Sequence, residues 1–238
     1  MALGLVASRA EAAPLFLAGL VYEGTRRIEK AGDMVAAGAA LSVRERARFV
    51  SRGGTKLDAA LERFGVDVQG ATCLDAGCST GGFTHCLLER GAARVYAVDV
   101  GYGQFAWELR RDPRVVLMER TNIRSVDPQS LSPAPSIVVA DLSFVSLRSV
   151  MPFLAALAAP GGALIMLVKP QFEVEARHLE NGIVRSEEAR RQALADVEAS
   201  AAACGLQVRG SIPSPIQGAE GNVEYLLAAD KSGVRSCI

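Results

Sequence analysis

The chain is poor in aromatic residues, has no excess of either charge and contains only two histidines. Aromatic residues make up 5% of its 238 residues, and both Lys+Arg and Asp+Glu number 26. A net charge of zero gives no overall sign of nucleic-acid binding, so any basic surface must be local. The five cysteines form no close Cys-x-x-Cys pair. We therefore expect no metal site.

Long uninterrupted apolar runs are also missing. The longest apolar stretch, residues 150–168, is broken by Pro152, Pro160, Gly161 and Gly162. It predicts a helix followed by a strand and no membrane partner. The odd number of cysteines and the lack of a signal peptide predict a cytoplasmic location. Half of the residues are hydrophobic and 22% are charged, which suits a well-packed core.

The first part of the chain is basic. Residues 1–56 hold nine Lys or Arg and five Asp or Glu. Ser8 and Glu11 have the spacing of a capping box, which predicts a helix from about Arg9 to Gly19, with Pro14 inside it. Three short strands are predicted at residues 20–22, 27–28 and 40–43.

A basic stretch follows, formed by Arg44, Arg46, Arg48 and Arg52. We expect residues 48–56 to link a small domain, residues 1–47, to a larger one, residues 57–238. A helix is predicted over residues 56–64, because its apolar residues recur on one face.

From residue 71 onward, short apolar strands alternate with helices. This pattern is typical of an α/β fold with a parallel sheet covered on both faces. Strands are predicted at residues 72–74, 95–98, 115–118, 137–140 and 163–168, with a final antiparallel pair at 207–212 and 223–228. Helices are predicted at residues 82–90, 104–111, 147–158 and 187–204.

A glycine-rich turn, Leu74-Asp-Ala-Gly-Cys-Ser-Thr-Gly-Gly-Phe83, joins the first of these strands to a helix. In doubly wound sheets, ligands bind at this point, where glycines expose backbone and the helix N-terminus favours an anionic group. The turn lacks the lysine of a Walker A loop and the full G-x-G-x-x-G spacing. A turn that only packs the helix on the strand is the alternative.

Charged residues stand at the predicted ends of three strands and inside a fourth. Asp99 follows the second strand, where an acid can accept hydrogen bonds from ribose hydroxyls. Asp141 follows the fourth, Lys169 ends a run of six apolar residues, and Glu224 interrupts the last. Taken singly, each could be a solvated or ion-paired residue.

Taken together, these stretches resemble the TlyA, or haemolysin A-like, family of FtsJ-like methyltransferases. The resemblance is carried by Val50-Ser-Arg-Gly-Gly-Thr-Lys56, the glycine-rich turn, Val98-Asp-Val-Gly-Tyr-Gly-Gln104, Arg120-Thr-Asn-Ile-Arg124, Asp141-Leu-Ser-Phe144 and Val168-Lys-Pro-Gln-Phe-Glu173. It covers almost the whole chain. It implies a Rossmann-like class I methyltransferase sheet behind a small α+β S4-like RNA-binding domain, although Glu23-Gly24-Thr25 and Pro14 depart from the S4 pattern.

The resemblance also implies a function and a set of site residues. The expected reaction is transfer of a methyl group from S-adenosyl-L-methionine to a ribose 2'-hydroxyl of ribosomal RNA, on a cytidine, with ribosomal RNA or a ribosomal subunit as partner. The catalytic set would be Lys56, Asp141, Lys169 and Glu224, with Lys169 as general base. The cofactor-binding set would be Asp75, Gly77, Ser79, Thr80, Gly81, Gly82, Phe83, Asp99, Val100 and Asp141.

Three other functions remain open from the sequence. The first is an RNA-binding protein with an inactive methyltransferase fold. The second is a haemolysin, which the missing membrane-spanning helix disfavours. The third is a small-molecule O-methyltransferase, which the S4-like segment and the two lysines disfavour. Mass spectrometry of ribosomal RNA nucleosides separates these functions best.

Overall fold

The computed structural model describes residues 3–36, 38–43, 48–218 and 221–233. The chain divides into two compact units, residues 1–48 and 49–238. Arg44 and Arg46 of the predicted basic stretch lie outside the described residues.

The first unit contains helix α1 (Arg9–Leu17) and three short strands, β1 (Val21–Glu23), β2 (Arg26–Arg27) and β3 (Leu41–Val43). The strands form an antiparallel sheet in the order β2-β1-β3. The hydroxyl of Ser8 accepts the Glu11 N–H at 3.2 Å, as a capping box requires. The Glu11 carboxylate accepts the Ala7 N–H at 2.9 Å, one residue before the expected donor. Pro14 lies inside the helix.

The second unit is a seven-stranded sheet flanked by helices. Its helices are α2 (Arg52–Phe64), α3 (Gly82–Glu89), α4 (Trp107–Arg110), α5 (Leu147–Leu157) and α6 (Glu187–Ala203). Its strands are β4 (Thr72–Ala76), β5 (Arg94–Val98), β6 (Val115–Met118), β7 (Ile137–Ala140), β8 (Ala163–Val168), β9 (Leu206–Pro213) and β10 (Tyr225–Lys231).

The sheet order is β6-β5-β4-β7-β8-β10-β9. Strands β4 to β8 are parallel, and β10 runs antiparallel between β8 and β9. The strand order reverses at β4, so the glycine-rich turn opens at the switch point where α/β sheets bind ligands. Because β10 runs the opposite way, its first residues lie at the same edge as the last residues of β8. Both faces of the sheet carry an apolar cluster.

Several predicted bounds are wrong, and those of helices α2 and α4 and of strand β10 differ most. Strand β10 begins at Tyr225, so Glu224 precedes this strand and does not interrupt it. Helix α2 begins at Arg52, so residues 52–56 are helical and do not form a linker. Gly53 and Gly54 argued against helix, yet a Cβ on Gly54 would overlap the ring of Phe49, so close packing explains this glycine. Helix α4 spans only Trp107–Arg110, because Ala106 before it has a non-helical ψ of 134°. The Ala106 N–H donates to the Thr80 carbonyl at 3.1 Å, which holds this residue against the glycine-rich turn.

Candidate active site

The glycine-rich turn between β4 and α3 brings bare backbone to the edge of the sheet. Gly77 has a φ of +84°, and a Cβ there would lie 2.5 Å from the Asp141 carbonyl oxygen. No other residue type fits this position without moving the chain after β7. Gly77 and Asp141 therefore pack against each other, and both line one concave surface.

Asp99 at the end of β5 closes one side of this surface. Its carboxylate accepts the N–H of Ser79 at 2.8 Å and the N–H of Gly101 at 2.6 Å. The carboxylate thereby joins the glycine-rich turn to the loop after β5. Each oxygen keeps a second acceptor position, so Asp99 can still receive hydroxyl donors from a ligand.

A cavity of about 500 Å³ opens beside Asp99, within the range of small-molecule sites. Five of the predicted cofactor residues line it: Gly77, Ser79, Asp99, Val100 and Asp141. A second cavity, of about 290 Å³, lies on the other side of the glycine-rich turn and shares Gly77, Ser79 and Asp141 with the first. It adds Thr80, Gly82 and Phe83 from the predicted set.

Asp75 and Gly81 line neither cavity. Asp75 is fully buried, and its Oδ2 accepts the Thr84 hydroxyl at 2.6 Å. Burial raises the pKa of this carboxyl to about 7. A Cβ on Gly81 would lie 2.6 Å from a Leu109 methyl group, so close packing against α4 explains this glycine. Asp75 and Gly81 therefore stabilise the glycine-rich turn without lining either cavity.

Lys169 and Asp141 meet where the parallel strands β7 and β8 end. The Lys169 amino group lies 2.6 Å from Asp141 Oδ1, in an ion pair whose angles fall short of a hydrogen bond. The same amino group donates to the Ser143 hydroxyl at 2.8 Å. The Lys169 side chain is 11% exposed, and it lines the second cavity together with Asp141.

Lys56 and Glu224 form a second ion pair beside the first. Lys56 lies in α2, Glu224 immediately precedes β10, and their side chains meet at 2.5 Å with only 10% and 3% exposure. Both residues line a third cavity, of about 400 Å³, which also contains Lys169 and Ser143. The structure thus brings the four predicted catalytic residues to one edge of the sheet.

Sequence reasoning missed Ser143 and Phe144. Ser143 lines all three cavities. Phe144 has a φ of +61°, which is rare for a bulky residue, and it is 91% exposed. Its ring lies 5.4 Å from that of Phe172, measured between centroids. Both residues belong to the motif Asp141-Leu-Ser-Phe144, but only the fold shows that they line the cavities.

The chain matches the model of the FtsJ-like methyltransferase family over residues 49–231. It belongs to that family. This assignment agrees with the sheet order and with the cavity beside the glycine-rich turn. Within the residues that the structure describes, no helix is long and apolar enough to cross a membrane. The same residues include no cluster of three side chains suited to a metal ion.

Individual relatives cover most of this FtsJ-like chain. It is 47% identical over 228 residues to the 16S/23S rRNA (cytidine-2'-O)-methyltransferase TlyA of Mycobacterium tuberculosis, covering 94% of this chain and 85% of the relative. A solved Streptococcus thermophilus protein that bears a hemolysin name is 42% identical, with a TM-score of 0.78 over 96% of this chain and 85% of that one.

A more distant solved structure shows the same fold. The N-methyltransferase NodS of Bradyrhizobium japonicum, solved with S-adenosyl-L-homocysteine, has a TM-score of 0.54 at 16% identity, over 76% of this chain and 89% of that one.

Proposed function

We propose that this protein transfers a methyl group from S-adenosyl-L-methionine to the 2'-hydroxyl of a cytidine in ribosomal RNA. One observation carries the proposal: the pairs Lys169–Asp141 and Lys56–Glu224 lie beside the cavities formed by the glycine-rich turn. The name of the Mycobacterium tuberculosis relative supplies the substrate class.

The first cavity fits the methyl donor. Gly77 lines this cavity with bare backbone, and Asp99 offers free acceptor positions to ribose hydroxyls. Asp141 lines this cavity and the second one, so a group bound beside it can face Lys169. When bound, S-adenosyl-L-methionine supplies an electrophilic methyl group on a sulfonium sulfur.

Lys169 is the proposed general base. In its neutral form, its amino group accepts the proton of the 2'-hydroxyl while that oxygen forms a bond to the methyl carbon and the carbon–sulfur bond breaks. Asp141 and Ser143 fix the amino group from two sides. Positioning of this kind supplies much of the rate in a transfer reaction.

Lys56 is the proposed contact for the RNA. Its charge is partly balanced by Glu224, yet it faces the second and third cavities. A lysine held there can contact a phosphate or the reacting oxygen. We further propose that the first unit, with an S4-like role, adds RNA affinity, since residues 1–48 hold seven basic residues against five acidic ones.

Mass spectrometry of ribosomal RNA nucleosides tests this function. RNA from a strain lacking the gene should lack one 2'-O-methylcytidine, and purified protein with S-adenosyl-L-methionine should restore it on isolated subunits. Binding of S-adenosyl-L-homocysteine without any methyl transfer would instead identify an RNA-binding protein with an inactive fold. Transfer to free small molecules but not to RNA would also overturn the proposal.

A further inference from the structure

Two loops at the carboxyl end of the sheet carry the reacting groups. The first follows β7 and is named here the Asp141 loop, residues 141–146. The second follows β8 and is named the Lys169 loop, residues 169–173. Their first residues meet in the Lys169–Asp141 ion pair. Their middle residues meet through the rings of Phe144 and Phe172.

Glu173 joins the two loops at their far ends. Its Oε1 accepts the Leu147 N–H at 2.6 Å, and its Oε2 accepts the Ser146 hydroxyl at 2.6 Å. Arg148 donates to Oε2 at 3.1 Å and to the Glu173 carbonyl oxygen at 2.9 Å. The Glu173 side chain is 1% exposed.

This carboxylate caps the first N–H group of helix α5 from a distant loop. Leu147 is the first residue of α5, and Ser146 stands at the N-cap position without making a side-chain capping bond. Glu173, 26 residues further along the chain, supplies the acceptor to the Leu147 N–H. A buried anion is favourable there because of the helix dipole and the unpaired N–H groups. A local cap from Ser146 would satisfy the helix without joining the loops.

We infer that Glu173 is a positioning residue that holds Lys169 and Asp141 in register for methyl transfer. With both ends of the two loops tied, Ser143 and Phe144 cannot move away from the Lys169 loop independently. The inference rests on the proposed function. It goes beyond that function because Glu173 lines none of the three cavities around the four catalytic residues.

The test compares Glu173→Gln with the wild-type chain in methyl transfer to ribosomal subunits. Glutamine has about the size of glutamate but carries no charge. Its NH₂ group would face the donors of Ser146, Leu147 or Arg148, which need an acceptor. We expect kcat to fall about 10- to 100-fold, as for a reacting group displaced by about 1 Å. The KM for RNA and the affinity for S-adenosyl-L-homocysteine should stay within about twofold. Unchanged kcat would overturn the inference.

A matched control separates positioning from general stability. Asp112→Asn removes a carboxylate that binds Arg114 at 2.7 Å, immediately before β6 and at the opposite end of the sheet. It should leave kcat unchanged. Both variants are assayed at a temperature where far-ultraviolet circular dichroism shows them folded. A fall in kcat in both variants would identify a stability effect and overturn the inference.

A second variant asks whether capping alone matters. Adding Ser146→Asp to Glu173→Gln gives α5 a local cap, since aspartate is a favoured N-cap residue. We expect the melting temperature to recover while kcat stays low. Recovery of kcat together with stability would show that Glu173 acts only as a cap. A wild-type chain that transfers no methyl group would refute the proposed function itself, an outcome distinct from either result with Glu173.

Discussion

The carboxylate of Glu224 lies 2.5 Å from the amino group of Lys56, although 168 residues separate the two. Both side chains are buried, so removing one leaves the other charged without a partner. We expect Lys56→Met to destabilise the protein by about 3 to 5 kcal/mol. Urea unfolding followed by far-ultraviolet circular dichroism measures this free energy of unfolding.

The double variant Lys56→Met/Glu224→Gln is the control for that prediction. It should be more stable than Lys56→Met alone, because no uncompensated charge remains. Equal free energies of unfolding in the single and double variants would mean that leaving Glu224 without its partner costs little stability.

Substitution of Lys169 tests the general base. Lys169→Ala should lose about 10²- to 10⁴-fold in transfer rate while keeping its affinity for S-adenosyl-L-homocysteine. Lys169→Arg is the sharper variant, because it keeps the charge facing Asp141 but cannot accept a proton. Single-turnover transfer to RNA measures both rates. Near-normal transfer by the arginine variant would make Lys169 an electrostatic residue.

Asp99 should determine cofactor affinity. Asp99→Ala removes the acceptor that ties Ser79 to Gly101 and faces the first cavity. We expect S-adenosyl-L-homocysteine to bind about 10- to 100-fold more weakly in titration calorimetry, as for loss of a charged hydrogen-bond partner. Asp112→Asn should bind with wild-type affinity. Unchanged affinity in Asp99→Ala would remove Asp99 from the site.

Asp75 should make stability depend on pH. Its pKa is about 7 in the folded chain because of burial, against about 3.9 for an unfolded aspartate. The folded state therefore holds this proton more tightly, and its contribution to stability is lost as the pH rises from about 4 to about 7. Asp75→Asn keeps an acceptor for Thr84 and removes the titration.

We expect the wild-type chain to lose roughly 2 to 3 kcal/mol more than Asp75→Asn between pH 5 and pH 8. Urea unfolding of both proteins at the two pH values gives the difference, in which other titrating groups cancel. If the free energy of unfolding depends on pH identically in both proteins, the raised pKa of Asp75 is refuted.

Deletion of residues 1–48 tests the first unit. We expect weaker RNA binding and a flatter dependence of binding on salt, since fewer phosphate contacts release fewer counterions. Cofactor binding should survive, because the lining of the first cavity lies wholly in the second unit. Equal affinity and an equal salt slope in the shortened chain would mean that this unit does not contribute to RNA binding.

Strand positions could be read from the sequence because apolar runs are local. Strands β6, β7 and β8 match their predicted bounds residue by residue. Contacts between residues far apart in the sequence could not be predicted in this way. Glycine usually disfavours a helix, and only the contact with Phe49 explains why Gly54 lies inside one. The resemblance to the family also did not show that Asp75 is fully buried and lies outside the cavities.

The sequence indicated which charged residues gather at this edge of the sheet, but it did not indicate how the loops that carry them are joined. A motif indicates that Lys169 and Asp141 are near one edge, because both follow parallel strands. The contacts of Glu173 with Ser146 and Leu147 depend on how two loops fold over each other, and no periodicity in the sequence carries that information.

The antiparallel course of β10 has a consequence during synthesis. Glu224 enters the site from the start of the last strand, whereas Lys56 is translated 168 residues earlier. A nascent chain can build β4 to β8 and the glycine-rich turn while its Lys56 still lacks a counterion. The ribosome must therefore release nearly the whole second unit before this ion pair forms, and a chain stalled in β9 would hold Lys56 without Glu224.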